Sequence, residues 1–132
     1  MDFSSLVLME KDKEGKVFIR ELGSYVVNEG AEYIKKLYYN GEKVVAFFDT
    51  KVDVEDWEYS AAYDLMDESV FSSKGFHIID VDDEYNPTWC AEFDYIDDYE
   101  EMGKKINLLC TLINNELKRI FSVMKDKKED YI

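Results

Sequence analysis

Four carboxylate residues flanking one turn sequence are the first candidates for chemistry in this chain. Asp80 and Asp82 lie just before the turn, and Glu92 and Asp94 follow it. If the two flanking segments pair as a hairpin, a suitable register sets all four side chains on one face. Oxygen-rich clusters of this kind suit hard divalent cations such as Ca²⁺ and Mg²⁺. A divalent-cation-binding protein, or a metal-dependent enzyme using these carboxylates, is therefore one hypothesis.

Two other interpretations of the same carboxylates stay open. The calcium-binding EF-hand pattern fails, because Tyr85 stands at the sixth loop position and Ala91 at the twelfth. An acidic face also keeps a sheet soluble and free of aggregation, although like charges across strands repel. Such a face would equally attract a basic protein. The sequence therefore allows a merely solvated face, a docking face for a basic partner, or a cation site.

Two tyrosines strengthen the docking interpretation. Tyr59 and Tyr63 stand four residues apart in an acidic stretch, so they lie on one side of a predicted helix. Aromatic side chains among carboxylates are what a surface for a basic partner needs. Trp57 lies on another side of that helix and is expected to anchor the core. The predicted partner-binding residues are Tyr59, Tyr63, Asp80, Asp82, Glu92 and Asp94.

The sequence offers little for nucleophilic or histidine-dependent catalysis. His77 is the single histidine and is expected to point into the core. Cys110 falls in an apolar helical stripe, and Cys90 falls among carboxylates, which raise the pKa of a thiol. No phosphate-binding glycine loop, dinucleotide fingerprint or H-E-x-x-H pattern occurs. We therefore predict no catalytic residue and no cofactor, and we expect a non-enzymatic interaction or regulatory module.

The charge of the chain favours basic partners. Its 132 residues carry 30 acidic and 16 basic side chains, a net charge of −14. Residues 49–100 hold 17 acids against two lysines. This segment repels bare nucleic acid and anionic membrane surfaces, and it attracts basic proteins or cations. A nucleic-acid mimic that inhibits a DNA-binding protein would have the same charge density and size, so it remains a further alternative.

The composition is that of a folded chain with one core. The hydrophobic fraction is 46% and the aromatic fraction 15%, which is too apolar for a disordered acidic tail. No apolar run approaches the roughly 18 residues of a membrane span, and the N-terminus lacks the pattern of a secretory signal. We expect a cytoplasmic protein without a membrane partner, with one domain over 1–132 and a frayed charged tail over 126–132.

The spacing of apolar residues predicts the element order β-β-α-β-α-β-β-α. Gly15 is expected at a positive-φ position in the turn of a first hairpin, and Gly23 at a bulge in its second strand. Helical spacing predicts helices over 29–39 and 54–67. The unalternating apolar run 44–48 predicts a central strand. These elements describe an α+β fold with about five mainly antiparallel strands.

The clearest strand pattern predicts a second hairpin. The segments 76–82 and 88–96 flank a turn sequence, and the predicted register sets Val81 opposite Trp89. The four carboxylates then face outward. The residues that face the core in this register are His77, Ile79, Val81, Trp89, Ala91 and Phe93.

The longest periodic stretch is the C-terminal third, over about 97–125. Apolar residues recur there at intervals of three and four, as on one face of a helix. About 28 residues at 1.5 Å each span about 42 Å, which is as long as a domain of this size is wide. We therefore expect the first half to support the sheet and the second half to contact a second copy. The predicted dimer interface consists of Leu117, Ile120, Phe121 and Met124.

Two stretches carry a resemblance to a known family. Trp57-Glu58-Tyr59-Ser60 and Asp80-Val81-Asp82-Asp83-Glu84-Tyr85-Asn86-Pro87 resemble segments of small uncharacterised proteins of low-G+C, clostridial-type bacteria. Those proteins form a domain family of unknown function. The resemblance covers the chain in general character and implies no activity.

Overall fold

Six strands form one mixed sheet, and three α-helices pack against a single face of it. The computed structural model describes residues 5–132. In sheet order the strands are β2 (Phe18–Tyr25), β1 (Leu6–Lys11), β3 (Ile34–Tyr39), β4 (Val44–Asp49), β6 (Thr88–Phe93) and β5 (His77–Val81). The helices are α1 (Asp56–Leu65), α2 (Ser69–Ser72) and α3 (Tyr99–Met124).

The sheet has one parallel pair, between β1 and β3, and its other neighbouring strands are antiparallel. The face that meets the helices, here called the inner face, carries the main hydrophobic core. The opposite face, here called the outer face, carries a small separate cluster around Tyr38, Val45 and Cys90. The α+β class and the long C-terminal helix are confirmed, with one strand more than expected.

Most element predictions agree closely with the structure. The helices predicted over 54–67 and about 97–125 lie at 56–65 and 99–124. The central strand predicted over 44–48 is β4. Gly15 has a φ of 72°, and Gly23 lies beside an irregularity in the pairing of β1 with β2.

The helix predicted over 29–39 is wrong. A short 3₁₀ turn covers Ala31–Tyr33, and β3 follows at Ile34–Tyr39 between β1 and β4. Leu37 is buried whereas Lys36 beside it is exposed. Isoleucine and tyrosine favour a strand once neighbouring strands pair with it, so these long-range contacts outweigh the apolar spacing.

The register predicted for the second hairpin is wrong by one residue. Val81 pairs with Thr88 rather than with Trp89. Apolar residues stand at both odd and even positions of β5, so alternation alone does not choose the buried face. Phe76 decides it: its side chain is fully buried and its ring meets that of Phe93 edge to face, with centroids 5.0 Å apart.

This shift moves the single histidine out of the core. His77 pairs with Glu92 on the outer face and is exposed. Ile78 is buried on the inner face in its place. The expectation that His77 faces the core is therefore wrong, because the strand places its even-numbered residues against the helices.

The side chains predicted to form a dimer interface lie inside the chain. Leu117, Ile120 and Met124 are at most 1% exposed, and Phe121 packs against the same core cluster. α1 packs beside α3, which covers the part of the helix that was expected to meet a second copy. The structure thus gives these four residues an intrachain role.

The C-terminal tail lies beside α1. A 3₁₀ turn forms at Lys128–Asp130. The Tyr131 hydroxyl donates to a carboxylate oxygen of Asp64 at 2.9 Å, and its ring lies 6.3 Å from that of Trp57. No helix within residues 5–132 combines the length and apolarity needed to cross a membrane.

Candidate functional site

α1 is the element that brings the candidate residues together. Its start is fixed by the Glu58 carboxylate, which accepts from the backbone N–H of Glu55 at 2.7 Å. Ala61 and Ala62 are fully buried, so this side of the helix lies against the core. Tyr59 consequently faces the turn between β5 and β6, together with the tyrosine one turn further along.

Tyr63 connects α1 to the turn end of the second hairpin. Its hydroxyl donates to the Val81 carbonyl at 2.6 Å and accepts from the Thr88 N–H at 2.9 Å. The ring lies 5.3 Å from that of Trp89, measured between centroids. Burial is the main reason why the pKa of the Tyr63 phenol is raised above its usual value. The hydroxyl thus bridges the two strands at this end.

Tyr59 holds the turn itself. Its hydroxyl donates to the Glu84 carbonyl at 2.7 Å and lies 3.2 Å from the Asp82 carbonyl. The ring meets that of Tyr63 edge to face at 5.4 Å. Both tyrosines predicted to contact a partner therefore use their hydroxyl groups within the chain, and they fix the position of the acidic turn relative to α1.

The carboxylates placed around these tyrosines form what we call the acidic surface. All five side chains are exposed. Across residues 5–132, no salt bridge involves a carboxylate between positions 50 and 93. Two of the predicted partner-binding carboxylates belong to this group. The acidic surface comprises Asp56, Asp80, Asp82, Asp83 and Glu84.

The two remaining predicted carboxylates lie elsewhere. Glu92 sits on the outer face opposite His77. The Lys43 ammonium group donates to the Asp94 carboxylate at 2.5 Å; this contact lowers the pKa of Asp94 and raises that of Lys43. Glu92 and Asp94 line a cavity of about 410 Å³ at the β5 edge together with Lys43 and His77. The shared acidic face of four carboxylates predicted from the sequence is therefore wrong.

The hypothesis of a cation site required all four carboxylates on one face of the hairpin, and they do not share one. Asp80 pairs with Trp89, and Glu92, three positions further along β6, pairs with His77. Neighbouring residues of a strand point to opposite faces, so Asp80 and Glu92 are on different sides of the sheet. In the part of the chain that the structure describes, no three histidine, cysteine or acidic side chains are arranged to hold a metal ion.

Neither cysteine has the surroundings of a nucleophile. Burial raises the pKa of the Cys90 thiol to about 12, with a smaller contribution from the Glu92 carboxylate. Cys110 is fully buried in α3, and burial raises its pKa to about 12 as well. Both thiols are protonated at neutral pH, whereas a reactive cysteine needs a lowered pKa.

Sequence reasoning missed one buried carboxylate. Glu116 in α3 is only 3% exposed. It accepts from Arg119 at 2.6 Å and from the backbone N–H of Asp67 at 2.8 Å, and Arg119 also donates to the Leu65 carbonyl. The group anchors the end of α1 to α3. A glutamate in an otherwise apolar stripe, three residues before an arginine, was the available signal.

Comparison with known proteins adds a family but no activity. The model of one protein family, described as a family of unknown function, matches residues 1–132. Neither the curated proteins nor the solved structures give a match.

Proposed function

The chain belongs to the family of unknown function DUF6762, and we propose that it acts as a non-enzymatic interaction module that docks a basic protein segment. The proposal rests on one observation. The acidic surface brings exposed carboxylates of α1 and of the β5–β6 turn together, and no lysine or arginine of residues 5–132 forms a salt bridge with them.

Some acidic groups elsewhere in the chain are neutralised by a nearby basic side chain. Arg20 lies 2.7 Å from Glu10, and Lys118 lies 3.2 Å from Glu29. The negative potential is therefore concentrated where such partners are missing. A concentrated potential accelerates encounter with a basic partner and makes binding sensitive to salt.

The hydroxyl contacts of Tyr59 and Tyr63 support docking in an indirect way. A turn carrying Asp82, Asp83 and Glu84 is hydrogen-bonded to α1 before any partner arrives. Less conformational freedom is then lost on binding. The tyrosines position the carboxylates, and the edges of their half-buried rings border the same surface.

A charge-matched pair of variants tests this proposal. We expect a fluorescent peptide of ten lysines and arginines to bind the chain in low salt, and to bind about tenfold more weakly once Asp80, Asp82 and Asp83 are changed to Asn. The control carries Asp97→Asn, Glu100→Gln and Glu129→Gln, three exposed carboxylates outside the acidic surface. Fluorescence anisotropy measures both affinities. Equal losses in the two variants would mean that only net charge matters, and the proposal would fail.

The nucleic-acid-mimic hypothesis is a special case of this proposal, in which the basic partner is a DNA-binding protein. Such a partner would be displaced from the acidic surface by duplex DNA. Competition by DNA, measured on a partner captured in low salt, identifies that case.

A further inference from the structure

β5 forms an edge of the sheet, and one side of its backbone pairs with no other strand. It is the last strand in the sheet order, and within residues 5–132 it pairs with β6 alone. An edge strand carries a row of N–H and C=O groups to which another chain can add a strand. The groups that point away from β6 are therefore the ones that a partner could use.

A contact at the end of β5 shows which residues direct their backbone groups outward. The Val81 carbonyl accepts from the Tyr63 hydroxyl at 2.6 Å, and the same hydroxyl accepts from the Thr88 N–H of β6 at 2.9 Å. Val81 therefore turns its carbonyl toward β6. The direction of the backbone groups alternates along an antiparallel strand. Ile78 and Asp80 consequently direct their N–H and C=O groups to the free edge.

The residue before β5 agrees with this alternation. The Phe76 N–H should point the same way as that of Ile78, and it donates to the Phe71 carbonyl of α2 at 3.1 Å rather than to β6. α2 thus uses the outward group at the start of the strand. From Ile78 onward, no turn, loop or side-chain hydrogen bond within residues 5–132 reaches the outward backbone groups of β5.

β5 also lacks the features that protect edge strands from such pairing, which are bulges, prolines and lysines. The other edge strand, β2, has two irregularities in its pairing with β1 and carries the cationic Arg20. β5 pairs with β6 over all 5 of its residues without an irregularity, and its sequence contains neither proline nor lysine. The edge at β5 is therefore the one suited to accept an added strand.

Charge decides what can pair there. Asp80 belongs to β5 itself, Asp82, Asp83 and Glu84 follow it, and none of the four forms a salt bridge among the described residues. In an added strand, the side chain opposite Asp80 starts about 5 Å from it, on the same face. A lysine or arginine there forms an ion pair. A second copy paired through β5 would instead bring another Asp80 to this short edge, and like charges across strands repel.

We propose that the basic partner of the acidic surface binds as an extended strand, added antiparallel to β5 at this edge. The inference rests on the proposed docking function and states the conformation of the docked segment. The partner residue opposite Asp80 directs its side chain to the inner face, and the next one lies beside Ile79, which is 40% exposed on the outer face. The recognised segment therefore alternates basic residues with β-branched ones, which favour strands.

The geometry also states which backbone groups of the partner bind β5. In an antiparallel pair, two opposite residues exchange both of their backbone hydrogen bonds. Ile78 and Asp80 face the edge, so the partner residues opposite them bond to β5. These are the basic residues of the alternating segment, whereas the backbone groups of the β-branched residues point away.

Backbone N-methylation of a peptide tests this pairing without changing the protein. The parent peptide alternates lysine and threonine over about nine residues, which is enough to span β5. One derivative is methylated on the nitrogens of three interior lysines and the other on those of three threonines, so their charges are equal. We expect the lysine-methylated peptide to bind about tenfold or more weakly, because it loses hydrogen bonds to β5. The threonine-methylated peptide should bind like the parent, as measured by fluorescence anisotropy.

Amide hydrogen exchange of the full chain locates the added strand. With the parent peptide bound, the N–H groups of Ile78 and Asp80 should exchange about tenfold or more slowly than in the free chain. The N–H of Ile79, which already faces β6, is the internal control and should change little.

The outcomes separate the strand from the docking function. Suppose that the parent peptide binds and that changing Asp80, Asp82 and Asp83 to Asn weakens it. Equal binding of the two methylated peptides, a loss confined to the threonine-methylated one, or unchanged exchange at Ile78 and Asp80 then overturns the added strand alone. A parent peptide that does not bind in low salt overturns both proposals.

Discussion

Tyr63 was predicted to contact a partner, but its hydroxyl forms hydrogen bonds within the chain. The sequence placed it beside Tyr59 on one side of a helix, and that placement is correct. Whether its hydroxyl meets a partner or the chain itself depends on which strand lies alongside, and no local pattern contains that information. The hydroxyl bonds to the last residue of β5 and to the first residue of β6, beside the turn that joins them.

Tyr63→Phe should destabilise the fold. The change removes one hydroxyl and leaves the Val81 carbonyl and the Thr88 N–H without their partner. Losing such bonds in a half-buried position costs about 1–3 kcal/mol. Urea unfolding followed by fluorescence measures the difference. Tyr85→Phe is the control, because Tyr85 is 82% exposed; equal stability of the two variants would contradict the bridging role.

The two thiols should make stability depend on alkaline pH. Both have a pKa of about 12 in the folded chain, above the usual value of about 8.5 for a free thiol. The unfolded chain therefore loses these protons first. The contribution of the two protonated thiols to the free energy of unfolding is fully present below about pH 8.5, and it declines as the pH rises above that value.

Urea unfolding at pH values from 7 to about 10 measures this decline, and thiol labelling checks the burial on which it depends. At pH 8 a disulfide reagent should leave Cys90 and Cys110 unmodified in the folded chain and should modify both in guanidinium chloride. Rapid labelling of the folded chain would show that the thiols are accessible and ionised, contrary to their burial.

At the scale of elements, the local spacing of apolar residues correctly predicted the helices and strands whose structure does not depend on pairing with distant strands. α1, α3 and β4 lie within about two residues of their predicted bounds because each has a clear period or an unbroken apolar run. β3 was predicted as a helix, since its apolar residues fit both periods. The β5 register failed for a related reason: both faces of that strand carry apolar residues, so only the core could choose between them.

Gly30 offers a test of how β3 and α3 are placed against each other. Its φ is +108°, and a Cβ there would lie about 2.0 Å from the Cys110 carbonyl oxygen of α3. Gly41 has a φ of +92° with open space around it. Both changes to Ala strain the backbone by about 1 kcal/mol, but only Gly30→Ala must also push α3 away.

We therefore expect Gly30→Ala to cost about 1–3 kcal/mol more than Gly41→Ala, the usual range for overpacking. Denaturant unfolding of both variants gives the difference. Similar losses would indicate that α3 does not approach the turn before β3 as closely as described.

For the whole molecule, the distribution of charge is the property that the sequence predicted best. The acidic middle segment was evident from counting residues 49–100. The sequence did not show how the fold distributes these acids. Asp80 and Asp82 lie on one surface, and Glu92 lies on the other face of the sheet. The molecule thus separates an acidic surface beside α1 from an outer face with an apolar centre and charges of both signs.

The central claim is that the acidic surface, rather than net charge in general, docks a basic partner. Chemical-shift mapping with the lysine–arginine peptide tests it most directly, because every backbone N–H reports its own surroundings. We predict the largest shifts at 56–63 and 80–86, with their magnitude decreasing as salt is added. Shifts spread evenly over all exposed acids, or concentrated on the outer face, would contradict the claim.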